Sequence, residues 1–269
     1  MCFSISYATY AKRYAKALAS RRPLGRSYTA RFRSVGFRAN EQSNLHQAKI
    51  MIYLDSAILE EAQTAVAMGW VKGITTNPTL LKKSTLLPED CLQQLSALCP
   101  GELYYQLCAG DFASMIQEGY RAAEIVGDKL VLKIPATELG FRVTAHLAAK
   151  IACSVTAIYS PAQAAIASEA GAKYAIAYVN RATRLLGNGL ELVQSMAQVL
   201  KNSPTEILAA SIKSPQEAAA TLQAGAHHLT LPLDILRAMT THELSVQTVA
   251  EFADQGRGIS MVSQGEQVQ

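Results

Sequence analysis

The 269-residue sequence predicts an α/β chain folded as a single-domain (β/α)8 TIM barrel behind a basic N-terminal extension. Three observations carry that expectation. From Met51 onward, short runs rich in β-branched and aromatic residues alternate strictly with amphipathic stretches of helical period, which implies a parallel sheet covered by helices. Eight such units fit into about 220 residues, which suits a closed barrel better than an open doubly wound sheet. The glycine-rich phosphate loop that often follows the first strand of an open sheet is missing. Asp55-Ser56-Ala57 stands there instead, and no GxxxxGKS or GxxxxGKT occurs.

The strands are expected in order at Ile52–Asp55, Gly73–Thr76, Leu103–Leu107, Leu130–Ile134, Ser154–Tyr159, Tyr174–Val179, Ile207–Ile212 and His228–Leu231. Leu130–Ile134 is apolar on both faces apart from one lysine, as befits a strand covered on both sides. Helical patterns follow at Leu59–Met68, Pro88–Leu98, Ala113–Val126, Glu138–Lys150, Pro161–Ala170, Leu190–Leu200 and Pro215–Ala224, with Ile235–Met239 and Val246–Ala253 after the last strand. Ser160-Pro161 and Ser214-Pro215 place serine at the N-cap and proline in the first turn. Gly69, Gly127, Gly171 and Gly225 stand where helices should stop.

The net charge of +4 divides unevenly. Residues 1–50 hold ten Lys or Arg and one acid, Glu41, whereas residues 51–269 hold fifteen Lys or Arg and twenty acids. The body is thus mildly acidic and offers no nucleic-acid surface. The first fifty residues, rich in Arg, Ser, Ala and Tyr, have the composition of an organelle transit peptide. Alternatively the working chain begins at Met51, immediately before the first strand. A nucleic-acid-binding arm ranks last, since no module pattern accompanies the basic residues. On each reading residues 1–50 are expected to be disordered, the barrel to span 51–255, and 256–269 to form a tail. A cytoplasmic location is expected, or an organelle if the extension is a transit peptide. No run of eighteen uncharged apolar residues occurs, so no membrane span is expected. Cys2, Cys91, Cys99, Cys108 and Cys153 form no CxxC pair, and reduced, mostly buried thiols are expected. Neither they nor the histidines have metal-ligand spacing, and the adjacent His227 and His228 would face opposite ways on a strand. No metal and no cofactor are expected.

The C-terminal ends of barrel strands build the active site. Read strand by strand, those ends hold Asp55; Thr75, Thr76 and Asn77; Gln106; Lys133; Thr156; Tyr178, Asn180 and Arg181; and Ser211 and Lys213. Seven strands thus send polar groups to one mouth. Each residue alone has a plainer explanation. A strand-end Asp is often a helix cap, Asn77 before Pro78 can be a turn, and Ser or Thr can bond nearby backbone. Lys133 differs, because it lies inside the apolar run Leu130–Pro135. A lysine there either reaches out to a carboxylate or is held desolvated with a lowered pKa, a neutral amine able to attack a carbonyl. The polar ring around it favours the second.

The segments IYLD (52–55), GITTNP (73–78), LVLKIP (130–135), YVNR (178–181), ILAASIK (207–213) and LTLPL (229–233) resemble the small transaldolases and fructose-6-phosphate aldolases, in order and over about residues 51–255. The resemblance implies a Schiff base on Lys133, acid/base work by Asp55, and a proton-shuttling water held by Gln106, Thr156 and Tyr178. It further implies that Asn77 meets the dihydroxyacetone portion, and that Arg181 and Ser211, with Lys213 as a helper, meet the phosphate of a sugar-phosphate substrate. Thr76 and Asn180 are expected among the substrate-binding residues. A cofactor-free cytoplasmic enzyme of carbohydrate metabolism, homo-oligomeric, is the corresponding expectation. Gln106 and Tyr178 are more similar to the aldolase branch, since transaldolases tend to carry Glu and Phe there. Ile176 replaces a substrate-binding Ser of transaldolases, Ala177 a common Pro, and Ser154 a frequent Asn; Ala182–Gly189 lacks the acids often seen after the Arg. The reaction implied is aldol cleavage of a ketose phosphate with release of dihydroxyacetone. Alternatives are the transaldolase reaction of the pentose phosphate pathway, a non-catalytic sugar-phosphate-binding barrel, and a different barrel enzyme that uses Arg181 and Ser211 for phosphate alone.

Overall fold

The computed structural model describes residues 50–259; the expectations for the basic extension and most of the tail lie outside them. Eight parallel strands close into a barrel in chain order: β1 (Met51–Asp55), β2 (Val71–Thr75), β3 (Glu102–Gln106), β4 (Leu130–Pro135), β5 (Ala152–Ile158), β6 (Tyr174–Tyr178), β7 (Glu206–Ala210) and β8 (His228–Leu231). Closure runs through β1, which pairs with β2 on one side (Asp55 opposite Thr75) and β8 on the other (Tyr53 opposite Thr230). The helices are α1 (Leu59–Ala67), α2 (Pro78–Leu81), α3 (Pro88–Leu98), α4 (Phe112–Val126), α5 (Glu138–Leu147), α6 (Pro161–Glu169), α7 (Val179–Leu186), α8 (Gly189–Val199), α9 (Pro215–Gln223), α10 (Leu233–Ala238) and α11 (Glu243–Gln255). The (β/α)8 expectation is met.

Local chemistry explains the boundaries. Asn77, Asp111, Thr137, Ser160 and Ser214 accept a backbone N–H of the helix that each precedes, satisfying a donor the helix itself cannot. The four expected stop glycines take φ between 72° and 105°, the left-handed side that costs glycine little. Two helices were not expected. α2 is a single turn made by Asn77 and Pro78, and α7 starts at Val179, so β6 ends one residue early and Asn180 and Arg181 are helical. β7 also ends early, at Ala210, because Ser211 turns to φ 59°.

Inside the barrel, away from the expected mouth, Tyr53, Tyr104 and Tyr174 are fully buried. Tyr104 packs against Tyr53 (5.5 Å between centroids) and Tyr174 (5.8 Å). Their hydroxyls donate to the Glu102 carboxylate at 2.7, 3.0 and 3.0 Å, and Lys173 joins it at 2.7 Å. Burial pushes the Glu102 carboxyl up, but Lys173 and the tyrosine hydroxyls outweigh it and hold it below the ordinary carboxylate range. Gly73 makes room for this stack: a Cβ there would strike the Glu102 carbonyl and come within 2.8 Å of the Tyr53 ring.

At the opposite end, the helix after each odd-numbered strand sends one side chain back to the preceding loop. Glu61 of α1 accepts from Ser56 Oγ. Glu118 of α4 accepts from Tyr105 OH (2.7 Å) and the N–H groups of Cys108 (3.0 Å) and Ala109 (2.9 Å). Gln163 of α6 accepts from Tyr159 N (2.9 Å) and donates to the Ala136 carbonyl (3.2 Å). Glu217 of α9 accepts from Lys213 N (2.7 Å) and Asn180 Nδ2 (3.3 Å). Loop N–H groups need partners, and these carboxylates and amides supply them while fixing the strand ends.

Candidate active site

Lys133 stands on β4 between Gln106 of β3 and Ser154 of β5 in register, with 2% of its surface exposed. Its ammonium nitrogen donates to the Thr76 carbonyl at 2.8 Å, and no carboxylate pairs with it within ion-pair distance among the described residues. Burial pushes its pKa below that of a free lysine, and the charge of Asp55 opposes the shift without cancelling it. Strands β3, β4 and β5 are bound beyond their ladders as well: Leu107 N donates to Lys133 O and Ala136 N to Thr156 O, each at 2.9 Å. The lysine stem is therefore anchored in rigid sheet.

Asp55, half-buried at the end of β1, accepts from Thr75 Oγ at 2.7 Å. Thr156 and Tyr178 face each other across β5 and β6, their hydroxyls 2.9 Å apart. Burial raises the Tyr178 phenol above its ordinary range; the bond with Thr156 pulls it down, Asp55 pushes it up, and Arg181 pulls it down. The Arg181 guanidinium carbon lies 5.4 Å from the Tyr178 ring centroid, so the exposed cation is held over an aromatic face. Asn180 N donates to the Ser211 carbonyl at 2.9 Å, which ties the first turn of α7, and with it Arg181, to the end of β7.

Lys133, Asp55, Gln106, Thr156, Tyr178, Asn77, Arg181, Ser211 and Lys213 thus all stand at the C-terminal ends of the strands or one turn beyond. Two of the expected substrate contacts are engaged elsewhere. The Thr76 hydroxyl donates to the Tyr104 carbonyl at 2.7 Å, so it is the Thr76 carbonyl that meets Lys133. The Asn180 amide turns to Glu217. Asn77 uses its side-chain oxygen on Leu80 N (3.0 Å), leaving its amide nitrogen for other partners. Thr230 and Glu217, like Glu61, Glu118 and Gln163, are polar residues of this end to which the sequence pattern alone does not point. Thr230 hid among the apolar residues of LTLPL, and Glu217 was counted as an ordinary helix residue.

Residues 52–264 match the family described as Transaldolase/Fructose-6-phosphate aldolase. The chain belongs to that family. It is 34% identical over 198 residues to a probable transaldolase of Nitrosopumilus maritimus (72% of this chain, 89% of that protein). It is 34% identical over 204 residues to one of Lysinibacillus sphaericus (74% and 94%), and 32% identical over 204 residues to one of Syntrophomonas wolfei (75% and 95%). Among solved structures, a mandelate oxidase variant superposes with a TM-score of 0.52 at 16% identity, over 76% of this chain and 71% of that one, a likeness of fold alone. Membership of the transaldolase and fructose-6-phosphate aldolase family makes this barrel an enzyme of the aldolase and transferase kind. Among the described residues no group of three or more His, Cys, Asp or Glu is arranged to hold a metal ion, and no helix is long and apolar enough to cross a membrane.

Proposed function

We propose that this family member performs Schiff-base aldol chemistry on a ketose phosphate, with Lys133 as the amine. The observation that carries the proposal is the buried Lys133 amine, without a carboxylate partner among the described residues and with a pKa lowered by burial. A lysine in that state gives up its proton more readily than a free one, and the neutral amine can attack the C2 ketone. Loss of water gives an iminium. Asp55 takes the C4 hydroxyl proton, the C3–C4 bond breaks toward the iminium, and an aldehyde leaves an enamine behind. A water held by Gln106, Thr156 and Tyr178 protonates the enamine carbon, and hydrolysis frees dihydroxyacetone and the amine. Asn77 holds the dihydroxyacetone end; Arg181, with Ser211 and Lys213, holds the phosphate.

The relatives, described as probable transaldolases, favour a second outcome, in which the enamine adds to an acceptor aldehyde as in a transaldolase. Tyr178 and Gln106 favour hydrolysis, since a phenol can aim a water that Phe could not, and an amide holds it without ionising. Borohydride reduction with fructose 6-phosphate, followed by peptide mass mapping, tests the amine: the adduct is expected on Lys133, and an adduct elsewhere or none overturns the reading. Product release with and without an acceptor aldehyde decides the branch; strict dependence on the acceptor makes the protein a transaldolase. A homo-oligomer is proposed too, supported by Leu244, Val246, Val249 and Phe252 of α11, which are 61–71% exposed. A monomer by light scattering would refute it.

A further inference from the structure

Seven strands bring polar groups to the mouth at their C-terminal ends. The eighth, β8, contributes from one layer deeper. Thr230 Oγ lies 2.6 Å from Thr75 Oγ, and Thr75 Oγ lies 2.7 Å from Asp55 Oδ1. Both threonines are buried, Thr75 at 0% and Thr230 at 2% exposure. The three residues span the strands that close the barrel, β8, β1 and β2, with Asp55 on the middle one.

A hydroxyl has one proton, and an ionised carboxylate can only accept. Thr75 therefore gives its proton to Asp55, and the contact with Thr230 is made only if Thr230 donates to Thr75. The direction of both bonds follows. A hydroxyl that accepts a hydrogen bond becomes a stronger donor, more so in a dry surrounding. The chain of bonds therefore grips Asp55 at Oδ1.

We infer that Thr230 is a positioning residue that acts on Asp55 through Thr75, fixing which carboxylate oxygen receives the substrate proton. This rests on the role proposed above for Asp55. Thr230 touches no substrate. Its hydroxyl matters to the step in which Asp55 takes a proton, and not to the holding of the sugar phosphate.

The test is a double-mutant cycle with a separate assay of the imine. Thr230→Val keeps the shape and removes the donor. Its kcat for cleavage of fructose 6-phosphate is expected to fall up to about tenfold, within the range for a hydrogen bond between two neutral hydroxyls, with KM within about twofold. Borohydride trapping on Lys133 should persist, and Thr230→Ser should restore kcat to within about twofold. In a Thr75→Val background, adding Thr230→Val should cost less than about twofold, because the link through which it acts is gone. Equal losses in both backgrounds, or a silent Thr230→Val, would overturn the relay. Should the valine variant not fold, Thr230→Ala against Thr230→Ser makes the same comparison. Failure to trap an adduct in the wild type would instead remove the Schiff-base reading itself, whereas intact trapping with a silent Thr230→Val removes the relay alone.

Discussion

If the proposed function holds, replacing Arg181 with alanine should separate phosphate recognition from everything else at the mouth. The guanidinium makes two kinds of contact available: the stack over Tyr178 at 5.4 Å, and charge-assisted bonds to a phosphate. It makes no ion pair with a carboxylate among the described residues, so no internal partner is left stranded by the change. Loss of a stack at an exposed site costs about 0.5–1 kcal/mol, at most about fivefold, and would burden every substrate alike. Loss of hydrogen bonds to a charged group costs about 1.5–3 kcal/mol, or about 10- to 150-fold, and falls on phosphorylated substrates only. Because Arg181 is exposed, solvent screening places the expected figure in the lower part of that range, a few tens of fold. The assay is kcat/KM for fructose 6-phosphate and for fructose, wild type against Arg181→Ala. Arg181→Lys should fall between, keeping the charge without the planar fork. Equal losses on the two sugars would refute the assignment and leave Tyr178 packing as the role of Arg181.

Lys133→Met should abolish turnover yet leave the barrel as stable as the wild type or more so. The folded pKa of Lys133 lies below its unfolded value of 10.5. The lysine therefore costs stability at neutral pH, and that cost fades as pH rises toward 10.5. A melting temperature that drops at pH 7, or a gap that widens in alkali, would contradict this. His227 accepts from Ile207 N at 2.9 Å, and burial, outweighing Glu206, lowers its pKa from 6.5. The unfolded chain thus binds the proton first, and this contribution to stability is complete above about pH 6.5 and declines below it. Urea midpoints from pH 7.5 to 5 should fall more steeply for the wild type than for His227→Asn; parallel curves would exclude the histidine. Glu217→Ala frees the part-buried Asn180 amide and the exposed Lys213 N–H and so loosens both groups at the mouth. It should raise KM for fructose 6-phosphate more than it lowers kcat, and Glu217→Gln should largely restore it. A kcat effect with KM unchanged would place Glu217 outside phosphate recognition.

The barrel was legible because its signals are local and repeated. Ser160-Pro161, Ser214-Pro215 and the four stop glycines mark helix ends by their own conformational limits, whatever surrounds them. Lys133 was legible because a cation within Leu130–Pro135 conflicts with the pattern of its own strand. What escaped depends on contacts across strands. Glu102 stands just before the strand expected at Leu103–Leu107, and only closure brings Tyr53 of β1 and Tyr174 of β6 onto its carboxylate. Thr230 became visible as a polar contributor only once β8 lay beside β1. The turn at α7 was missed because YVNR continues a strand pattern, while the tie from Asn180 N to the Ser211 carbonyl comes from another strand.

The tyrosines gathered on Glu102 have a kinetic consequence. Among the described residues they fill the barrel like a cork, and on the function proposed above the mouth is then the doorway for substrate. If the enamine is passed to an acceptor, the aldehyde cut from the sugar and the aldehyde coming to take its place would have to use the same opening, in opposite directions, past the same Arg181. They cannot form a queue with separate ends. The departing aldehyde should therefore compete directly with the arriving one, and traffic through the doorway, rather than bond-breaking within, should set the pace when both are abundant.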